Sequence, residues 1–220
     1  MANGNPQPLS IAQLKEYAVN RQDQYEITKQ SLYDTQTYAQ AGQTILTFFQ
    51  NPIGQNGKTK ADTNLESAGQ LPAPKYFLVE SIEILFFPGE NPVTSGSDPA
   101  ADTAVSNFTN DTYTFQQNGF LDFFIGSKSY LTEAPLGRFP PKTKLEGDAA
   151  VSMIAAPANN DFYSYDYASM CGRPYFIDPQ ITLMPNQNFN ITLNWPTAVA
   201  LSADATVKVI MDGLLYRLSQ

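Results

Sequence analysis

The chain has 220 residues, of which 42% are hydrophobic, 12% aromatic and only 15% charged, a size that suits one large all-β domain or an ordinary domain with an extension. Thirteen basic against twenty-one acidic residues leave a net charge of −8, so a phosphate backbone is repelled on average and nucleic acid is not expected as a direct partner. There is no histidine, and Cys171 is the sole cysteine, which excludes histidine-based catalysis and metal ligation, an intrachain disulfide and CxxC-type motifs.

The opening MANGNPQPLS has neither the basic patch nor the apolar run of a signal peptide. No stretch approaches the roughly 18 apolar residues of a membrane span. The expectation is a soluble protein made in the cytoplasm. Ser10 followed by Gln13 is a capping-box pattern and predicts a helix from about Ile11, with Ile11, Leu14 and Ala18 as a narrow apolar stripe. The Gln- and Tyr-rich stretch onward to Gln40 has no clear period. Residues 1 to 43 therefore read as a helical or extended arm, and a helix packed on its own domain's sheet fits the same residues.

From Thr44 the pattern becomes that of a β protein, and residues 44 to 220 are read as one sandwich domain. TILTFFQ, bounded by the turn-forming NPIGQNG, predicts the first strand. Tyr76 to Phe87 alternates around Phe77, Val79, Ile82, Ile84 and Phe86 with one change of phase, which predicts a bulge. Pro88 to Asp111 reads as a long loop, followed by strands at Thr112 to Gln116, Phe120 to Ile125 and Ser129 to Glu133. Further short strands are expected at Ala149 to Ala155, Phe162 to Tyr167, Tyr175 to Ile177 and Ile181 to Met184. Phe189 to Trp195 alternates with a period of two, and Ala205 to Leu218 forms a last long strand with Asp212-Gly213 as a turn or, preferably, a bulge. Short strands at such intervals point to a sandwich or barrel.

Little chemistry is available to such a chain. Cys171 lies beside Arg173 but has no base to activate it, and a free cysteine is more often a buried small hydrophobe. Carboxylate pairs would permit glycoside hydrolysis. Glu80 and Glu83 fall on opposite faces of a strand unless the bulge intervenes, and Asp161 and Asp166 flank aromatics that could stack on sugars. The basic cluster Arg138, Lys142 and Lys144 reads as a solvated loop rather than an anion site. No catalytic residue, metal ligand or cofactor site is assigned.

A polar helical arm, many short strands with long Asn/Pro/Gly connections, and the closing PNQNFNITLNWP and ATVKVIMDGLLYRL together resemble jelly-roll capsid proteins of bacteriophages and viruses. The resemblance covers mostly residues 44 to 220. It implies an all-β jelly-roll sandwich with an N-terminal α-helical arm, a non-catalytic shell subunit, and a place in the virion beside copies of itself and other virion proteins. The uncharged polar surface agrees with extensive subunit contacts, since such groups lose little on desolvation. Tyrosine is enriched at interfaces, so the contacts are expected around Leu14, Tyr17, Tyr25, Tyr33 and Tyr38 of the arm and around Phe162, Tyr163, Tyr165 and Tyr167. The Tyr-rich 162–167 stretch also fits a carbohydrate- or receptor-binding module of a virion, and the carboxylates a glycosidase.

Overall fold

A computed structural model describes residues 25–89, 104–142, 144–153, 161–170 and 172–218. The helix expected from Ile11, with Leu14 and Tyr17, lies outside these residues, as does Cys171. In chain order the elements are β1 (Tyr25–Tyr38), β2 (Ile45–Phe48), β3 (Tyr76–Phe87), α1 (Ala104–Gln117), β4 (Phe120–Ile125), β5 (Lys128–Pro135), β6 (Lys144–Met153), β7 (Asp161–Met170), β8 (Tyr175–Leu183), β9 (Phe189–Asn194) and β10 (Ala205–Leu218).

Eight strands make two antiparallel four-stranded sheets, ordered β1-β10-β3-β8 and β2-β9-β4-β5. Among the described residues the remaining two, β6 and β7, form a two-stranded sheet with each other. Alternation supplies the shared core, with Phe77, Val79, Ile82, Ile84 and Phe86 of β3 and Val207, Val209 and Met211 of β10 packed in one cluster with Leu121, Phe123, Ile191 and Leu193 of the other sheet. Full burial of such side chains contributes about 1.5–3 kcal/mol each. The all-β sandwich expected from the strand and turn pattern is thus present.

Two expectations change. Residues 25–38, read as arm, form β1, which pairs with β10 along its whole length from Tyr25↔Leu218 to Tyr38↔Ala205. Its inward positions Leu32, Asp34 and Tyr38 are buried, so the strand's core face mixes charge with apolar groups and shows little hydrophobic alternation. Thr112 to Gln116, expected to be a strand, and Ala104 to Asp111, expected to be the end of a loop, together form α1. Asp111, Thr112 and Phe115 are buried while Tyr113 is 60% exposed, a helical spacing that the β-branched and aromatic residues disguise. Phe115 stacks on Phe86 at 4.2 Å and accepts the Trp195 Nε1–H at its carbonyl, so α1 closes one end of the core.

A buried ion pair ties β1 to the connection that follows β2. Asp34 is completely buried; its carboxylate accepts the Phe49 N–H at 2.7 Å and meets Lys58 Nζ at 3.1 Å. The same connection runs along the side of β1 away from β10. There Asn64 Oδ1 accepts the Tyr33 N–H at 3.0 Å, Asn64 Nδ2 donates to the Ser31 carbonyl at 2.7 Å, and Thr63 Oγ1 donates to the Tyr33 carbonyl.

Candidate functional site

The chemistry-bearing side of the sandwich is the outer face of β1-β10-β3, and the bulges create it. Along β3 the register passes from Val79↔Gly213 to Ser81↔Asp212, leaving Glu80 as an extra residue. The inward set therefore shifts from Phe77 and Val79 to Ile82, Ile84 and Phe86, and the parity of the outward set shifts with it. Glu80 and Glu83, three residues apart, consequently share the outer face, the exception that the phase change allowed. Gly213 sits at the same irregularity, and a Cβ there would collide with the Leu78 carbonyl. Only glycine admits so close an approach.

Beyond the bulge the outer face is a polar cleft of about 420 Å³, lined by Ser31 and Tyr33 of β1, Lys208, Ile210 and Asp212 of β10, Glu83 of β3, and Lys60, Ala61 and Lys142 from connections. Glu83 and Asp212 are each only 7% exposed. Buried carboxylates need partners, and Lys142 supplies both: its backbone N–H donates to Glu83 Oε2 at 2.6 Å and its ammonium pairs with Asp212. Ser31 Oγ–H also donates to Asp212. The Phe139 carbonyl accepts the Ile84 N–H at 3.0 Å, so the segment from Phe139 to Lys142 is strapped along β3 just past the last register pair with β8, Ile82↔Tyr175. On the other side Lys208 donates to the Ala61 carbonyl and stands 5.3 Å over the Tyr33 ring, whose hydroxyl donates to the Lys60 carbonyl.

This arrangement fastens segments to the sheet rather than presenting an acid and a base to a substrate. Arg138 and Lys142 of the basic cluster are engaged within the molecule, Arg138 with its guanidinium 5.4 Å from the Tyr175 ring and Lys142 as the strap's anchor. The side chain of Lys144, on β6, is not among those described. Among the described residues no cluster of histidine, cysteine or acidic side chains could hold a metal ion, and no helix is long and apolar enough to cross a membrane.

Before the bulge the same face is apolar. Leu78 and Tyr216 form a cluster separate from the core, with Tyr76 and Leu214 packed against them. Burial raises the Tyr216 phenol above its ordinary pKa, and the negative charge of Glu80 adds to the effect. Among the described residues its hydroxyl has no hydrogen-bond partner, nor has Thr182 Oγ1 of β8, the residue opposite Leu78.

The expected contact residues fall in different places. Tyr25 begins β1 opposite Leu218. Tyr33 is half-buried in the cleft. Tyr38 is wholly buried, its ring 4.9 Å from Trp195 and its hydroxyl donating to the Val199 carbonyl at 2.7 Å, which leaves it no surface for a neighbour. Phe162, Tyr163, Tyr165 and Tyr167 lie together on β7, opposite Ser152, Val151, Ala149 and Gly147 of β6. The sequence reading missed Asp34 and Asp212 as charged centres. Their only signal was an acid inside a strand, and each partner lies far along the chain. Comparison with protein-family models, curated proteins and solved structures finds no match for this chain.

Proposed function

We propose that this chain is a virion structural protein, a capsid shell subunit built on a jelly roll. The observation that carries the reading is the nested pairing of the eight sandwich strands. β1 pairs with β10, β2 with β9, β3 with β8 and β4 with β5, the pattern of one long hairpin rolled into two sheets. The connection between β3 and β4 holds α1, and that between β5 and β8 holds the β6–β7 hairpin, so the additions sit in loops and leave the pairing intact.

A fold does not name a function, and composition supplies the rest of the argument. Charged residues are only 15% of the chain and histidine is absent, while the buried carboxylates Glu83 and Asp212 are held by Lys142 and Ser31, which supports a non-catalytic role. Ile45 on edge strand β2 and Phe176 on edge strand β8 are 54% and 52% exposed, apolar handles on the two flanks through which copies would pack side by side. Sedimentation and electron microscopy of the purified chain test the proposal. Closed particles, or rings that Ile45→Lys and Phe176→Lys dissolve without unfolding the subunit, are the expected result. A chain that stays monomeric under every assembly condition and is absent from any particle overturns it.

A further inference from the structure

We propose that the Asn56-Gly57 turn is a site of self-modification, at which the chain's own backbone converts Asn56 to aspartate and isoaspartate, and that the change reaches the buried Asp34–Lys58 pair. The sequence holds asparagine followed by glycine at Asn3, Asn56 and Asn118, the first of them outside the described residues. Glycine lets its main-chain nitrogen approach the preceding asparagine Cγ without hindrance from a side chain. The fold treats the two described sites oppositely. Asn56 and Gly57 form the exposed tip of a reversal, with φ of 50° and 73°, closed by the Lys58 N–H on the Gln55 carbonyl at 3.0 Å. A Cβ added at Gly57 would meet nothing within 4 Å, so a ring has room to close there. A surface tip clear of the core opens locally at little cost, which lets the backbone turn into the ring geometry. Asn118 is exposed as well, but Gly119 is buried, and a Cβ there would lie 2.5 Å from Leu136 and 2.6 Å from Trp195. The Gly119 carbonyl also accepts the Leu136 N–H at 3.2 Å, so turning that peptide would disturb the end of the core.

The chemistry needs only water. The Gly57 nitrogen gives its proton to solvent base and bonds to Asn56 Cγ, and the Cγ–Nδ2 bond breaks with release of ammonia. Water then opens the succinimide. Cleavage of the new Cγ–N bond leaves aspartate with the original main chain, whereas cleavage of the bond from the Asn56 main-chain carbonyl carbon to that nitrogen leaves isoaspartate. The main chain of isoaspartate runs through Cβ and Cγ and is one methylene longer. Either product carries a negative charge at neutral pH. It arises two residues from Lys58, whose side chain is 11% exposed and whose ammonium donates to Asp34 and to the Thr35 carbonyl. The Lys58 carbonyl accepts the Gly54 N–H at 2.8 Å, so the added methylene falls inside the closed loop that positions Lys58. This inference stands apart from the shell proposal, since neither assembly nor a particle enters its test.

The full-length chain is held at mildly alkaline pH, folded or in urea, and followed by peptide mass spectrometry for the gain of about 1 Da as ammonia is exchanged for water. In urea Asn56 and Asn118 are expected to convert at similar rates. In the folded chain Asn118 should be slowed about tenfold or more, while Asn56 is not. Equal rates at the two sites in the folded chain, or protection of Asn56 as strong as that of Asn118, overturn the site. The link to the buried pair is read by thermal unfolding before and after incubation. The incubated chain should melt below the fresh one, whereas Asn56→Gly, which keeps a left-handed turn and removes the amide, should not change. The drop should shrink in a chain carrying Asp34→Asn and Lys58→Met, because the pair that the product disturbs is gone. A drop of undiminished size in that background, or no drop at all in the natural chain, overturns the link.

Discussion

Two lysine–aspartate pairs flank the β1–β10 ladder, and the contrast between them shows how burial decides what a charge is for. In the inner pair Asp34 has no exposed side-chain surface and Lys58 only 11%, whereas in the outer pair Asp212 keeps 10% and Lys142 keeps 46%. The inner pair has lost most of its hydration and depends on its own geometry; in the outer one the Lys142 ammonium keeps its water, while the buried Asp212 is also held by Ser31. A buried pair is weak as a net source of stability but costly to break, because the partner left behind is an uncompensated charge. A half-exposed pair is screened and contributes little either way.

Lys58→Ala is accordingly expected to be the most damaging change, costing about 3–5 kcal/mol because Asp34 stays behind uncompensated. In a chain of this size that corresponds to a fall in Tm of about 10 °C, measurable by calorimetry. The double variant Asp34→Asn, Lys58→Met should recover a large part of the loss. If it is no more stable than Lys58→Ala alone, the penalty belongs to packing rather than to stranded charge. Gly213→Ala comes next, at about 1–3 kcal/mol, since the Leu78 carbonyl must move to admit a Cβ. Denaturant unfolding would show the midpoint fall with an unchanged slope.

Lys142→Ala should cost only about 1 kcal/mol. It should also loosen the Phe139–Lys142 strap, seen as faster amide exchange at Ile84, whose N–H donates to the Phe139 carbonyl. A loss as large as that of Lys58→Ala would erase the distinction between the two pairs. The smallest effect concerns Tyr216, whose pKa in the folded chain lies above its ordinary value near 10. As pH rises past that value the unfolded chain releases the phenolic proton while the folded chain keeps it. The unfolded state then binds fewer protons, so stability is full below pH 10 and declines above it. Tyr216→Phe should flatten that decline and change little at neutral pH, as followed by chemical denaturation across the alkaline range.

What the sequence disclosed follows the same division between uniform and mixed surfaces. β3, β4 and β10 have the bounds that alternation predicted, and β9 stops one residue short, because their inward positions are apolar almost without interruption. The irregularity at Asp212-Gly213 falls where aspartate-glycine interrupts a hydrophobic run, but its extra residue is Glu80 of β3, where the change of phase predicted a bulge. β1 was hidden because its inward row contains Asp34 and Gln36, whose partners Lys58 and the Thr47 carbonyl lie beyond any local window. α1 was hidden by strand-favouring Thr, Tyr and Phe, whose helical spacing matters only once Phe86 and Trp195 are there to receive Phe115. The outer cleft was half visible: Glu83 drew notice in a carboxylate pair with Glu80 and Lys142 in a basic cluster, but the meeting of Glu83 with Lys142 depends on one inserted residue, Glu80, that changes the parity of a strand.

Asn64 and Thr63 carry a further consequence. A strand of fourteen residues at the margin of a sheet offers a row of unpaired amides and carbonyls to any passing chain. By holding the Ser31 and Tyr33 main-chain groups, these two side chains occupy that row in its middle and act as a gatekeeper against adventitious sheet extension. A subunit that must accumulate to high concentration without sticking through its backbone would need such a guard. Asn64→Ala should leave the fold intact and shorten the time before amyloid-type dye binding appears on prolonged incubation.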